Sequence, residues 1–161
     1  HMYFRTASDL APEISRFSAG GLRDDHGSMH NILRPETVES LALLWRATGW
    51  QIYRNWGQRI LSAFSRMKTP HAYAGLHNVN APGSVREDMP SFFVAETVKY
   101  LFLLFSDDDA LRLDELLLST EAHVMPREAR PSAGAPGRRC EQGRDWRQGT
   151  ASAKEAEPLA S

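Results

Sequence analysis

The stretch Ser91-Phe92-Phe93-Val94-Ala95-Glu96-Thr97-Val98-Lys99-Tyr100-Leu101-Phe102-Leu103-Leu104-Phe105 is apolar almost all round when read at helical periodicity. A bilayer-spanning helix needs about 20 apolar residues, and this run falls short of that. The spacing therefore predicts a helix from Ser91 to about Phe105, buried by neighbouring elements on most of its sides. Glu96 lies inside it, and a carboxylate carried into an apolar interior needs a partner, a metal ion or a polar cavity. Lys99, three residues further on, is a candidate for a local ion pair. Phe92, one turn earlier, places an aromatic ring beside Glu96.

Two more helices precede it. Val38, Leu41 and Trp45, with Ala42 and Leu44, repeat at helical spacing up to Gly49. Ile52, Trp56 and Ile60 recur four apart, widened by Tyr53, Leu61 and Phe64, before Pro70. Their aromatic residues read as core packing. Between His71 and Pro90 the periodicity fails, and Gly75, Asn78, Asn80, Pro82, Gly83 and Ser84 predict a turn-rich stretch with a short hairpin.

The start of the first helix is chemically dense. Pro35 suits a first turn, where its missing N–H costs nothing. Glu36 and Glu39, three apart, project from one side of the helix, with Arg34 just before them. Acids in a first turn also simply complement the helix dipole, so the pattern alone leaves both readings open.

Composition excludes several classes. With 161 residues, 42% hydrophobic content and a formal charge of −1, the chain has no basic surplus that would point to nucleic acid. Its single cysteine, Cys140, cannot form an internal disulfide. The start, His1-Met2-Tyr3, shows no charged region followed by an apolar one, so no secretory signal is visible. From Arg127 onward, glycine, proline, alanine, serine and arginine dominate, and Trp146 alone cannot organise a core. Residues 127–161 are expected to be a disordered low-complexity tail, and residues 1–126 the folded portion.

In order along the chain stand Leu10-Ala11-Pro12-Glu13-Ile14, His30 through Ser40, Leu44-Trp45-Arg46-Ala47-Thr48-Gly49 and Tyr53-Arg54-Asn55-Trp56-Gly57. Ser91 through Leu101, Leu103-Leu104-Phe105-Ser106-Asp107-Asp108 and Ser119-Thr120-Glu121-Ala122-His123 complete the series. Together, from Tyr3 to about Pro126, these segments resemble glycoside hydrolase family 47, the class I α-1,2-mannosidases of the secretory pathway. The resemblance implies an all-α fold: the last few helices and the closing strand of an (α/α)7 barrel, incomplete in this chain.

It also implies an activity, the calcium-dependent, inverting release of terminal α-1,2-linked mannose from high-mannose N-glycans on glycoproteins. By resemblance Glu36 is the general base, and Arg34, Phe92 and Glu13 contact the sugar. Thr120 binds Ca2+ directly through its hydroxyl and carbonyl, while Glu36, Glu39, Glu96 and Glu121 hold metal-bound waters. The family's general acid belongs to earlier motifs that are absent here, so the chain alone is expected to be inactive and prone to aggregate. The implied compartment is the endoplasmic reticulum or Golgi lumen, with no membrane contact from this segment although full-length family proteins are often membrane-anchored. Two alternatives are a non-catalytic mannose-glycan-binding quality-control relative and a truncated helical fragment. Asp107-Asp108-Asp109 lacks the ligand spacing and glycine of an EF-hand loop and reads as a loop and cap. The segment between Glu13 and Glu36 is shorter than in many members, Pro90 stands where an acid is usual, and Leu116-Leu117-Leu118 and Val124-Met125 also depart from the pattern.

Overall fold

The computed structural model of the chain describes residues 2–127. Helices α1 (Glu36–Thr48) and α2 (Gln51–Arg66) pack against each other and are linked through Gly49 and Trp50. Glu39 closes the first turn of α1 by donating its N–H to the Pro35 carbonyl at 2.8 Å. Gly49 ends the helix in the left-handed conformation, φ +70°, with its N–H on the Trp45 carbonyl. Glycine suits this position because a Cβ there is strained. The predicted limits of both helices hold.

The third helix is present but not uniform. Ser91 and Phe92 begin it, Phe93–Val98 form a π-helical turn, and α3 (Lys99–Phe105) continues it. Phe93, Thr97, Tyr100, Leu101, Leu103 and Leu104 are buried. They meet Leu41 of α1 and Ile60 and Phe64 of α2 in one core. Phe93 packs edge-on against Phe64 with ring centres 5.5 Å apart and tilts against Tyr73 at 5.3 Å. Arg54 of α2 caps the end of α3, donating to the carbonyls of Leu104 at 2.8 Å and Ser106 at 2.9 Å. These are carbonyls that a helix end leaves without intrahelical partners.

Burial on most sides, expected from the apolar pattern, is not what the described residues show. Val94, Val98, Phe102 and Phe105 form an exposed stripe, with Phe102 64% exposed. The described elements cover the opposite side of the helix more fully, and Val98, Phe102 and Phe105 line an open apolar cavity with Leu61 and Tyr73.

Two antiparallel hairpins flank the helices: β1 (Ser15–Ser18) with β2 (Gly21–Asp24), and β3 (Leu116–Leu118) with β4 (Val124–Pro126). The second occupies the place of the expected closing strand. Residues 71–90 make single bridges, Lys68 with Tyr73 and Leu76 with Val85, where a short hairpin was predicted. Leu76 also bridges Asn31, so this irregular segment is stitched to the strand-like chain that leads into α1. Among the described residues no helix is long and apolar enough to cross a membrane. The expected disordered tail lies outside the described residues, apart from Arg127, whose N–H donates to the Glu115 carbonyl at 2.8 Å.

Two buried glycines allow close approach, with different consequences. A Cβ at Gly57 would strike the end of the buried Leu104 side chain, which must repack to admit it. A Cβ at Gly75 would strike the backbone carbonyl of Asn31, which cannot move without breaking its bridge to Leu76. Gly75→Ala is therefore expected to cost about 1–3 kcal/mol or more, and Gly57→Ala the smaller amount. Thermal unfolding of a protein carrying this segment checks the ranking.

Candidate functional site

The site is built on a buried amide. Asn31 exchanges backbone hydrogen bonds with Leu76, both at 2.9 Å. Its side chain donates Nδ2–H to the Ala11 carbonyl at 2.8 Å and accepts the Leu33 N–H at 2.9 Å. That local turn holds Leu33, fully buried, at φ +68°. A left-handed leucine costs of order 1–3 kcal/mol and persists only where its surroundings impose it. Thr97, buried in the π-helical turn, supplies the other constraint by donating its hydroxyl to the Leu33 carbonyl at 2.7 Å. The chain then leaves the core with Arg34 at the surface and Pro35 leading into α1.

Glu13 directs Arg34. One carboxylate oxygen accepts the Ile32 N–H at 3.0 Å, and the other accepts from Arg34 Nε. Glu13 is only 10% exposed, so this is a partly desolvated, charge-assisted pair, stronger than a surface ion pair. It raises the Arg34 pKa above its ordinary value, chiefly through the Glu13 hydrogen bond. The guanidinium lies 5.9 Å from the centre of the Phe92 ring and 3.9 Å from a Glu36 oxygen. Glu36 itself is 65% exposed. Glu13, Arg34, Glu36, Asn31, Thr37 and Tyr3 line a polar cavity of about 340 Å³. Burial raises the Tyr3 phenol above its usual pKa despite a hydrogen bond with Thr37 that opposes the shift. The nearby Glu13 and Glu36 charges add to the rise.

A second group lies where the third helix meets α1. The Tyr100 hydroxyl donates to Glu39 Oε1 at 3.1 Å. Burial, then the Glu39 charge and hydrogen bond, then the Glu96 charge, push the Tyr100 pKa up to about 12. Glu39 and Glu96 thus both act on one phenol, one from each helix. Glu96 is half-buried, and the local ion pair with Lys99 is not made. Lys99 lies just beyond the π-helical turn, and its Nζ instead donates to the Ala122 carbonyl at 2.7 Å.

Ala122 belongs to the turn between β3 and β4. Its N–H donates to the Ser119 carbonyl at 2.9 Å, which leaves Thr120 and Glu121 at the centre of the turn. The Ser119 hydroxyl accepts the N–H groups of Glu121 at 3.3 Å and His123 at 3.0 Å. Thr120 is exposed, and neither its hydroxyl nor its carbonyl makes a hydrogen bond among the described residues. Asp107 precedes a 3-10 turn, Asp108–Ala110, without a side-chain cap hydrogen bond. Among the described residues no group of three or more His, Cys, Asp or Glu side chains is arranged to hold a metal.

The structure accordingly brings Glu13, Arg34, Glu36 and Phe92 together, and places Tyr100 in a hydrogen bond with Glu39 and within the field of Glu96. Thr120 and Glu121 sit on a turn tied to the same helix by Lys99. Sequence reasoning passed over Asn31, Thr97 and Tyr100, although polar groups recurring inside an otherwise apolar helix were a usable signal for the last two.

The profile of glycosyl hydrolase family 47 matches residues 1–127. The chain belongs to this family. It is 47% identical over 130 residues to mannosyl-oligosaccharide alpha-1,2-mannosidase IA of Drosophila melanogaster, covering 77% of this chain and 19% of that protein. It is 48% identical over 128 residues to the endoplasmic reticulum mannosyl-oligosaccharide 1,2-alpha-mannosidase of Homo sapiens, covering 73% and 18%. The chain thus spans about a fifth of the length of these curated relatives. The solved alpha-1,2-mannosidase from Trichoderma reesei superposes with a TM-score of 0.67 at 27% identity, covering 78% of this chain and 31% of that one. The expected fold, part of an (α/α)7 barrel, agrees with this likeness.

Tyr100→Phe removes one hydroxyl and leaves the Glu39 carboxylate without that donor. A hydrogen bond to a charged group contributes about 1.5–3 kcal/mol, so unfolding free energy should fall by up to that amount near neutral pH. Because the folded pKa lies above the usual 10.0, the contribution is complete below pH 10 and is lost as pH rises to about 12. Denaturant unfolding of both forms across this range should show the gap between them closing.

Proposed function

We propose that in the whole enzyme this segment serves the calcium-dependent, inverting hydrolysis of terminal α-1,2-linked mannose on high-mannose N-glycans, in the lumen of the endoplasmic reticulum or Golgi. The observation that carries the reading is the helix start at Glu36, open to solvent and flanked by Arg34 and Phe92 at the rim of a polar cavity. The names of the relatives supply the substrate class.

Inversion requires one carboxylate to activate water on one face of the sugar while a carboxylic acid on the other protonates the leaving oxygen. Glu36 serves as the base: it is open enough to hold a water, and its position is set by α1. Glu13 fixes the Arg34 guanidinium through Nε, and the remaining N–H groups are free to donate to sugar hydroxyls. Glu13 contributes to sugar binding from the cavity wall, mainly through this arginine. Phe92 offers its ring to the apolar face of the mannose. The proton donor comes from upstream family motifs outside the matched residues, so the 161 residues by themselves release no mannose.

The residues fit a calcium ion. Calcium takes six to eight hard oxygen ligands, often including water. Thr120 presents two oxygens without other partners, and Glu39, Glu96, Glu121 and Glu36 can hold waters around the ion without binding it directly. When bound, calcium would grip vicinal hydroxyls of the terminal mannose.

In a complete enzyme carrying this segment, Glu36→Gln should lower turnover by about two or more orders of magnitude while glycan binding survives. Near-normal turnover would move the base elsewhere, Glu39 being the next carboxylate on that helix face.

Calcium titration separates the metal assignments. Thr120→Val keeps the carbonyl and should weaken binding without abolishing it. Glu96→Gln should act more mildly, with losses of roughly tenfold to a hundredfold as the upper range. Unchanged calcium binding in Thr120→Val, with loss in an Asp107/Asp108 double substitution, would sink the Thr120 assignment.

A further inference from the structure

The geometry points to Lys99 as a positioning residue that holds the Thr120–Glu121 turn in its metal-binding shape by clamping the Ala122 carbonyl. The inference rests on the proposed calcium site and concerns what shapes it.

Lys99 is half-buried, and its ammonium meets no carboxylate within ion-pair distance among the described residues. Its hydrogen-bond partner is the Ala122 carbonyl, 2.7 Å from Nζ and twenty-three residues along the chain. Lysine is strongly hydrated, and moving its charge toward the interior for a single neutral acceptor is unfavourable unless that acceptor must be held.

Ala122 is such an acceptor. It is fully buried, yet it adopts φ +57°, a conformation in which a Cβ is disfavoured. Its N–H closes the turn onto Ser119, and its carbonyl faces the helix. The turn therefore has a strained closing residue held from one side by the Ser119 carbonyl and from the other by Lys99. Thr120 lies between these two anchors. Neither of its oxygens makes a hydrogen bond among the described residues, so no bond from Thr120 itself maintains their orientation. The clamp comes from the helix that also bears Glu96, so one rigid element sets the turn and a proposed water-holding carboxylate together.

The same reasoning explains why the ion pair with Glu96 is absent. If Lys99 paired with Glu96, that carboxylate would have fewer acceptor sites left for metal-bound waters, and the turn would lose its anchor.

The test uses the complete enzyme, with calcium affinity measured by titration of chelator-stripped protein. Lys99→Met should weaken calcium binding about tenfold, the lower end of the range for groups that orient ligands. Turnover at saturating calcium, where the site is filled in both forms, should fall by less than the calcium affinity does. Lys99→Arg should recover most of the affinity, because guanidinium also reaches a carbonyl. Ala122→Gly in the Lys99→Met background should recover part of it, since glycine adopts the left-handed conformation without strain. If Lys99→Met does not fold, Lys99→Leu provides the same comparison through a shorter side chain that also lacks a donor.

A merely structural lysine would lower the melting temperature of the stripped protein and leave calcium affinity intact. That result, with Thr120→Val still weakening calcium binding, would overturn the clamp alone. Unchanged affinity in both Thr120→Val and Lys99→Met would overturn the calcium site and the clamp together.

Discussion

The bonds around Asn31 are what the geometry of the site depends on. A buried amide with an unmet donor or acceptor costs about 1–3 kcal/mol, and Asn31 satisfies its side chain with Ala11 and Leu33 and its backbone with Leu76. Three separate stretches of chain thereby meet at one residue. The strained Leu33 follows directly, because its N–H is captured from one side by Asn31 and its carbonyl from the other by Thr97. A relaxed leucine at that point would carry the next residues along a different path. Arg34 would leave Glu13, and α1 would begin with Glu36 facing another direction.

The third helix distributes its few polar groups with similar economy. Thr97 reaches Leu33, Lys99 reaches Ala122, and Tyr100 reaches Glu39. Each contact joins the helix to a different element, so the helix acts as the common reference for the Arg34 loop, the Thr120 turn and α1. The π-helical turn at Phe93–Val98 is where this becomes possible. A wider turn rotates the following residues relative to an ideal α-helix, and such turns are frequent at functional sites. On the other side, Val94, Val98 and Phe102 remain uncovered, as expected for one helix of a barrel whose other helices lie elsewhere in the family's longer proteins.

Helix existence and limits were legible because they depend on local signals. Glu36 through Thr48 is bounded by Pro35 and Gly49, and Gln51 through Arg66 by its four-residue apolar repeat. The π-helical turn was not legible, since an insertion of one residue per turn leaves an all-apolar pattern looking the same. Lys99 was read toward Glu96 because sequence spacing favours the near partner, whereas the structure offers a carbonyl from a turn far along the chain. Asn31 was passed over for a related reason: its partners Ala11 and Leu76 are distant in sequence and carry no side-chain chemistry that advertises the contact. Arg34 beside Glu36 was legible at the helix start, whereas Glu13 entered only through family resemblance, because the residues between Glu13 and Arg34 include a hairpin that no periodicity predicts.

Burial divides the carboxylates of the site into different physical roles although their chemistry is the same. Glu13, 10% exposed, directs both oxygens at the Arg34 loop and has little capacity left for water. Glu36, 65% exposed, meets the same arginine only at 3.9 Å and keeps its oxygens open to solvent. Glu39 lies between these extremes, with one oxygen held by Tyr100. A group that positions others benefits from a desolvated, saturated environment, where its hydrogen bonds are strong and its rotamer is fixed. A group that must take a proton from water needs the reverse, an oxygen with space for that water and a neighbour that orients without occupying it. The fold produces this gradient by placing Glu13 under the loop that Asn31 shapes, and Glu36 one residue past the proline that ends it.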